Sequence, residues 1–264
     1  GEVFEELEEI LNMILDYNEF VLKKDEISPE MVAVYKERDE YIMKRWEEID
    51  QDDRELSRKD FDRVMTKIKI ANKDVYKDII NTSDSFKDVL FQIMNKIFKS
   101  GEVPKVFKET FLTRIYKRKG SQEDLKNFRF IHGKEWMPKL LEKLVVDKIT
   151  QTIKDKTPEV QIGGMKGKGT RDHLMTCILA MREYERKRKP LMYLLVDITK
   201  CFDKVRLDDL VYESLQAGCS PAIVKFVEAL SQDTIIKLRG MGRDDLSRLI
   251  RNSVGQGTDF AVLL

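Results

Sequence analysis

Asp197 and Asp203 bracket the stretch of this 264-residue chain whose residue types and spacing best suit catalysis. Leu191 to Val196 form an apolar run that follows a proline and is too short for a typical helix, which predicts a strand buried on both faces. A carboxylate at the end of such a strand is costly unless a positive partner meets it, and a metal ion is one effective partner. The alternative is that the terminal aspartate caps the next helix, and the residues alone leave both interpretations open.

A second stretch joins a strand pattern to a basic turn. Thr110 to Tyr116 reads as a strand and is followed by Lys117-Arg118-Lys119-Gly120. A strand that enters a basic turn containing glycine can hold a triphosphate or a nucleic-acid backbone. A solvated hairpin tip is the plainer interpretation of the same residues.

A third stretch, from Gln161 to Thr170, is a basic loop rich in glycine, with Lys166 and Lys168 between its glycines. It is not a phosphate-binding Walker A loop, because Gly169 stands where that motif needs serine or threonine.

Charge is distributed unevenly along the chain. Charged residues make up 36% of the sequence and leave a formal net charge of only +1, so net charge excludes no class of partner. Residues 1–60 nevertheless hold 20 acidic and 9 basic residues, a net of −11, and residues 61–264 carry a net of +12. An acidic N-terminal part followed by a basic remainder suggests that the basic part binds a polyanion.

Cysteine and histidine are sparse. The chain has three cysteines and two histidines: Cys177, Cys201, Cys219, His132 and His173. They form no cluster, so neither a zinc site nor a disulfide framework is expected, and the chain is predicted to be intracellular, either nuclear or cytoplasmic. No apolar run approaches the length of a membrane span and no signal peptide opens the chain. Because it begins with glycine and stops inside an apolar run, we expect a piece of something longer.

Helical patterns position these stretches. In the N-terminal part, helices are predicted over 2–22, from Ser28-Pro29 to about Ile49, and from a capping box at Ser57. The next two are predicted over 82–100, with Gly101 as the stop, and from Pro138 to about Ile153. A further helix ends at Arg186–Lys189, and two more, over 208–217 and 221–230, lie on either side of Gly218. Short strands are predicted over Thr234–Leu238 and Leu249–Val254, with a glycine turn at 240–242 between them.

Four motifs in order resemble those of reverse transcriptases. Asp-Ile-Thr-Lys-Cys-Phe-Asp, from Asp197, resembles the first catalytic motif, in particular the Asp-Phe-Ser-Lys-Ala-Phe-Asp form of LINE-like (non-LTR) retroelements. Residues 115–131 with Lys139-Leu-Leu-Glu-Lys143 resemble the fingers of that family. Residues 161–174 resemble its glycine-rich loop, and residues 254–257 its second polymerase motif. The chain departs from the family at Phe130 (usually proline), Met165 and Gly255 (usually arginine), and Ala261-Val262 (usually Ser-Pro). The change at Phe130, followed by His132-Gly133-Lys134, suggests an altered fingers loop.

The resemblance implies an α+β fold, with a helical N-terminal segment followed by a partial right-hand polymerase fingers and palm. The implied divisions are an acidic helical segment over 1–80, a fingers-like region over 81–189 and a partial palm over 190–264.

The resemblance also implies an RNA-directed DNA polymerase that transfers nucleotides with two Mg²⁺ ions, an RNA template, a DNA primer and a deoxynucleoside triphosphate. Asp197 would ligate both ions, and the backbone carbonyl of Ile198 would serve the triphosphate metal. Phe202 would be the steric gate against a 2′-hydroxyl. The implied nucleotide-binding residues are Lys117, Lys119, Arg129, Phe202, Gln256 and Gly257, and the implied nucleic-acid contacts are Lys166 and Lys168.

Two interpretations from different classes follow. The family's other metal-binding aspartates lie in a Tyr/Phe-x-Asp-Asp hairpin after the second motif, beyond Leu264, so we expect this stretch not to polymerise by itself. In the alternative interpretation, a degenerate or repurposed retroelement domain acts as a non-catalytic nucleic-acid-binding or protein-interaction module. The departures favour the alternative, whereas retention of Asp197, Phe202, Arg129 and Gln256 favours the enzyme. The sequence names no partner for the acidic segment.

Overall fold

A computed structural model of the chain describes residues 9–17, 28–50, 55–68, 83–154, 156–164, 167–198, 205–238 and 247–250. Its helices are α1 (9–17), α2 (Pro29–Glu47), α3 (Arg58–Met65), α4 (Asp84–Ser100), α5 (Trp136–Ile153), α6 (Thr170–Arg186), α7 (Leu207–Gln216) and α8 (Pro221–Ser231). Its strands are β1 (Glu109–Tyr116), β2 (Phe128–Gly133), β3 (Thr234–Leu238) and β4 (Ser247–Ile250). The result is a mixed helix-and-sheet fold.

Local capping signals set the ends of α3 and α4, and the Ser57 cap and the Gly101 stop are as the sequence predicts. The Ser57 hydroxyl accepts the Asp60 backbone N–H at 3.4 Å at the start of α3. The Ser83 hydroxyl accepts the Phe86 N–H at 3.2 Å at the start of α4. Gly101 ends α4 with φ 71°, a left-handed conformation that glycine adopts without steric cost.

The four strands form one sheet in the order β2-β1-β3-β4. Strand β1 pairs antiparallel with β2 and parallel with β3, and β3 pairs antiparallel with β4. The predicted strands at Thr110–Tyr116 and Thr234–Leu238 are confirmed, and β4 overlaps the first two residues of the strand predicted from Leu249. The remainder of that stretch, and the turn at 240–242, lie outside the described residues.

Helix α1 covers one face of this sheet. Its buried side chains, Leu11, Ile14 and Leu15, pack with Leu112 of β1, Phe130 of β2, and Ile236 and Leu238 of β3. Arg248 of β4 fixes the helix by donating to Asp16 Oδ1 at 3.1 Å. Phe130, where the sequence suggested an altered fingers loop, lies in the regular strand β2. Its side chain is only 7% exposed and its ring centroid lies 5.6 Å from that of Tyr17, so packing on α1 accounts for a large aromatic residue here.

A second core joins helices from both ends of the chain. It comprises α2 to α5, α7 and α8, with fully buried Phe61, Leu140, Leu144, Val211 and Leu230 among its members. Side chains from both sides of residue 80 contribute to it. The acidic N-terminal helices therefore bury their apolar faces against the helices that precede and follow the predicted catalytic stretch.

A polar cluster fixes α2 on α7. Arg38 Nη1 donates to Asp209 Oδ1 at 2.7 Å, and the Tyr35 hydroxyl donates to the same oxygen at 3.0 Å. The Arg38 guanidinium also lies 4.7 Å from the centroid of the Tyr212 ring. Hydrogen bonds to a charged group combined with a cation–π contact set the position of α2 along α7.

The apolar run at Leu191–Val196 is not the buried strand that the sequence predicts. No described strand pairs with this stretch, and the side chains of residues 192–196 are exposed, Leu195 by 92%. A strand needs a neighbouring backbone, and the described strands pair with one another. The Tyr193 hydroxyl instead donates to the Cys177 carbonyl at 3.0 Å, which connects this stretch to α6.

Helix α6 also exposes apolar side chains, including Leu174, Met175 and Leu179. Within the described ranges, no helix is long and apolar enough to cross a membrane.

A buried ion pair connects the end of β2 to α5. Lys134 Nζ lies 3.2 Å from Glu142 Oε2, and the two side chains are only 6% and 2% exposed. His132 is buried beside this pair, and burial together with the positive charge of Lys134 lowers the pKa of His132 to about 4. The corner between β2 and α5 therefore holds three ionisable groups away from water.

We expect Glu142→Leu to destabilise the fold by about 3–5 kcal/mol, because it takes the Glu142 carboxylate away from the buried Lys134 ammonium. The double variant Lys134→Met/Glu142→Leu should recover most of that loss, since it removes both charges. Urea denaturation measures both. A double variant as unstable as the single one would show that packing, rather than the lost counter-ion, sets the cost.

We expect His132 to make folding less favourable as pH falls from about 6.5 to about 4. In that window the unfolded chain binds a proton on His132 that the folded chain excludes, so the free energy of unfolding falls with pH. His132→Leu should reduce this slope by up to about 1.4 kcal/mol per pH unit. Denaturation across the window measures it, with His173→Leu on the exposed surface of α6 as the control. A slope unchanged by His132→Leu would contradict the prediction.

Candidate functional site

The β1–β2 hairpin carries the predicted phosphate-binding residues. Its strands pair from Phe111 opposite Gly133 to Tyr116 opposite Phe128, and the basic turn follows directly. The strand-plus-basic-turn pattern is therefore a real hairpin whose tip presents Lys117, Arg118 and Lys119 to solvent.

Hydrogen bonds inside the turn fix its shape. The Tyr116 hydroxyl donates to the Gly120 carbonyl at 2.6 Å, and Asn127 Nδ2 donates to the Ser121 carbonyl at 2.8 Å. Lys117 is held twice. Its backbone N–H donates to the Asn127 carbonyl at 2.8 Å, and its ammonium donates to the Lys126 carbonyl at 2.7 Å.

These contacts distinguish the two candidate lysines. The ammonium of Lys117 closes the loop, whereas Lys119 is exposed at the tip. A cation at the tip can approach a phosphate without breaking the turn. Lys119 is therefore the better placed of the two.

Arg129 lies on the sheet face opposite α1. It pairs across the hairpin with Ile115, and directly opposed residues point to the same face. Arg114 pairs with Phe130 instead, and its guanidinium lies 5.5 Å from the centroid of the Phe128 ring, on the face that α1 covers. Arg129 is exposed, so its fork of donors is open to an anion.

Asp197 and Ile198 lie on a different stretch, at the end of the exposed apolar run that follows α6. The Asp197 carboxylate is exposed, which suits a ligand that must meet a cation. Among the described residues, no group of three or more His, Cys, Asp and Glu side chains is arranged to hold a metal ion. The described chain thus offers one predicted carboxylate ligand rather than a complete metal site.

The loop before α6 presents Lys168, which is exposed between Gly167 and Gly169. Asp172 closes the start of the helix, because its carboxylate accepts the Gly169 N–H at 2.7 Å. His173 lies in the first turn of the helix, as the sequence predicts, and is exposed. Four predicted site residues lie outside the described residues: Lys166, Phe202, Gln256 and Gly257.

Asn127 is a site residue that the sequence interpretation named only as part of a motif. Its side-chain amide and backbone carbonyl both bind the turn, so it sets where the lysines point. Glu142 likewise had no predicted role beyond its place in the Lys139–Lys143 motif. In the structure it is the buried partner of Lys134. The sequence signal for Glu142 was a charged residue at an apolar position of the helix pattern, because a buried carboxylate needs a partner.

We expect Gly120→Ala to open the turn. Gly120 has φ 79°, and a Cβ there would meet the fixed amide of Asn127, whose Cγ would be 2.8 Å away. Amide hydrogen exchange at Lys117 should quicken, with a loss of about 1–3 kcal/mol in opening free energy.

Gly167→Ala is the matched control for Gly120→Ala. Gly167 has a similar φ of 82°, but a Cβ there would meet nothing within 4 Å. The control should leave exchange in the hairpin unchanged. Unchanged exchange in Gly120→Ala as well would contradict the role given to Asn127.

Comparison with known protein families gives a match over the region that carries the hairpin and Asp197. The family model described as reverse transcriptase (RNA-dependent DNA polymerase) matches residues 115–261, more than half of the chain. The match begins within β1 and includes the basic turn, Arg129, Asp197 and the strands β3 and β4. The chain therefore belongs to the reverse transcriptase family.

Proposed function

We propose that the chain forms the fingers and upper palm of a LINE-like (non-LTR) reverse transcriptase, and that its β1–β2 hairpin binds the triphosphate of an incoming deoxynucleotide. Membership of the family supports an RNA-dependent DNA polymerase that engages template, primer and deoxynucleoside triphosphate. The LINE-like assignment rests on the motif at Asp197 and on the fingers motif over 115–131.

One observation carries the proposal. The hairpin presents an exposed guanidinium at Arg129 and an exposed ammonium at Lys119 on a turn that internal hydrogen bonds hold rigid. Arginine offers a planar fork to phosphate oxygens, and lysine adds a mobile point charge. A rigid turn lowers the ordering cost of binding, since the cations are already placed.

The remaining roles follow the motifs. In the active interpretation, Asp197 and the backbone carbonyl of Ile198 would hold Mg²⁺, which would supply the Lewis-acid chemistry of nucleotidyl transfer. Lys168, with Lys166, contacts nucleic acid. Phe202 is the steric gate, and Gln256 with Gly257 shapes the nucleotide pocket.

The test is binding of dTTP to the 264-residue chain, measured by calorimetry with and without Mg²⁺. Arg129→Ala should weaken binding roughly 10- to 100-fold, because a hydrogen bond to a charged group contributes about 1.5–3 kcal/mol. Arg114→Ala is the matched control, an arginine of the same hairpin on the opposite sheet face, and it should leave binding unchanged.

Asp197→Ala separates the active interpretation from the repurposed one. In the active interpretation it removes the Mg²⁺-dependent part of the affinity and spares the part that depends on Arg129. If binding is indifferent to Mg²⁺ and to Asp197→Ala, two-metal catalysis loses its support, and a binding module becomes the better description. If Arg129→Ala and Arg114→Ala have equal effects, the hairpin assignment is wrong.

A further inference from the structure

The stretch from Pro190 to Val196 places an apolar segment on the surface of the described chain. It forms no helix, turn or bend, and no described strand pairs with it. Its side chains include those of Met192 and Leu195, which are 93% and 92% exposed. A backbone that neither coils nor turns and carries exposed apolar side chains is a template for strand pairing with another chain.

Charges of opposite sign lie at the two ends of this segment. Lys189 precedes it and Asp197 follows it, and both are exposed. Among the described residues, neither has an ion-pair partner. In a parallel, in-register pair of two copies, like charges would be opposed at both ends, which is destabilising.

Antiparallel pairing of two copies reverses that relation. If the pair is centred on Tyr193, Lys189 of each copy lies opposite Asp197 of the other, because both are four residues from the centre. Opposite charges that face each other across a strand pair are stabilising. The charge order of the segment is therefore complementary to itself in the antiparallel direction.

Pro190 is compatible with the same register. Residues of antiparallel strands alternate between positions that exchange hydrogen bonds with the partner and positions whose polar backbone groups point away from it. When Tyr193 exchanges hydrogen bonds with its own copy, Leu191 and Leu195 do so as well. Pro190 then falls on a position that points away, where no ladder hydrogen bond needs its missing N–H.

The other opposed pairs of this register are apolar. Leu191 lies opposite Leu195, and Met192 lies opposite Leu194. Two-fold symmetry makes each of these pairs occur twice, as in any isologous interface. Cross-strand contacts between such side chains stabilise a strand pair, so the register combines apolar pairs at the centre with ion pairs at both ends.

Helix α6 supports the segment from one side. A two-stranded ribbon alone is marginally stable in water, and packing against a helix is one way to stabilise it. The Tyr193 hydroxyl donates to the Cys177 carbonyl at 3.0 Å, so α6 already lies beside the segment. Leu174 and Met181 are exposed on the side of α6 that carries Cys177, because they lie three residues before it and four after it.

We propose that two copies of this chain associate through residues 189–197, as an antiparallel strand pair centred on Tyr193. The self-complementary order of charges identifies a second copy as the partner. The association needs no nucleotide and lies on a different stretch from the β1–β2 hairpin, so it does not depend on the proposed function. In the active interpretation Mg²⁺ would use the Asp197 carboxylate, and the dimer is therefore a state of the metal-free chain.

Sedimentation equilibrium of the 264-residue chain without Mg²⁺, from about 1 to about 200 μM, measures the association. We expect the mass to rise from that of a monomer towards that of a dimer. Lys189→Glu and Asp197→Lys each oppose like charges at both ends of the pair and should weaken dimerisation roughly tenfold or more. An equimolar mixture of the two variants should regain the affinity of the native chain, because opposite charges face each other again in the mixed dimer.

Matched variants test the register. Arg188→Glu makes the same charge change one residue earlier, opposite the uncharged Ile198, and should have the smaller effect. Leu195→Pro removes an N–H that donates to the second copy and should abolish dimerisation, whereas Leu194→Pro removes one that points away and should weaken it less. A chain that stays monomeric throughout, as it would if another part of the same chain covered the segment, would overturn the proposal. So would a mixture of Lys189→Glu and Asp197→Lys that dimerises no better than either variant alone.

Discussion

Strand β1 is hydrogen-bonded along both edges, and the arrangement of the described chain depends on that constraint. One edge pairs with β2, which follows β1 after the basic turn and a short 3₁₀ segment over Leu125–Asn127. The other takes β3, which arrives only after α5 to α8 have been traversed. A parallel neighbour requires a long crossover, so helices must lie between the two strands. The same pairing brings the segment after α8 beside the hairpin, within one sheet.

Strand β1 contributes side chains to both faces of this sheet, and the two faces have different surroundings. Leu112 and its neighbours on the even-numbered face are buried by α1, a helix of the acidic N-terminal segment. The odd-numbered face stays open near Arg129 and is apolar near Phe111. Along β1, this odd-numbered face therefore changes from an exposed region opposite Arg129 at one end to the wall of an apolar cavity at the other.

Ionic contacts connect the sheet to the helical core. Lys134 and Glu142 secure the end of β2 to α5, and Asp209 gathers Tyr35 and Arg38 to join α2 to α7. The first pair is buried, where a charge without its partner is strongly destabilising. The second is partly exposed, where its contribution is smaller. The acidic N-terminal helices are thus attached to the body of the domain by specific contacts as well as by apolar burial.

The sequence by itself determined the elements whose signals are local. The Ser57 cap of α3, Gly101 after α4, and strand β1 with its basic turn lie close to their predicted places, because each depends on a few adjacent residues. The motifs likewise indicated the reverse transcriptase family. Only the tertiary structure decided the pairing of β1 with β3, the burial of Phe130 under α1, the role of Lys117 in closing its own turn, and the exposure of residues 192–196. Each of these depends on which distant segment supplies a neighbouring backbone or an apolar surface, and no local spacing encodes that choice.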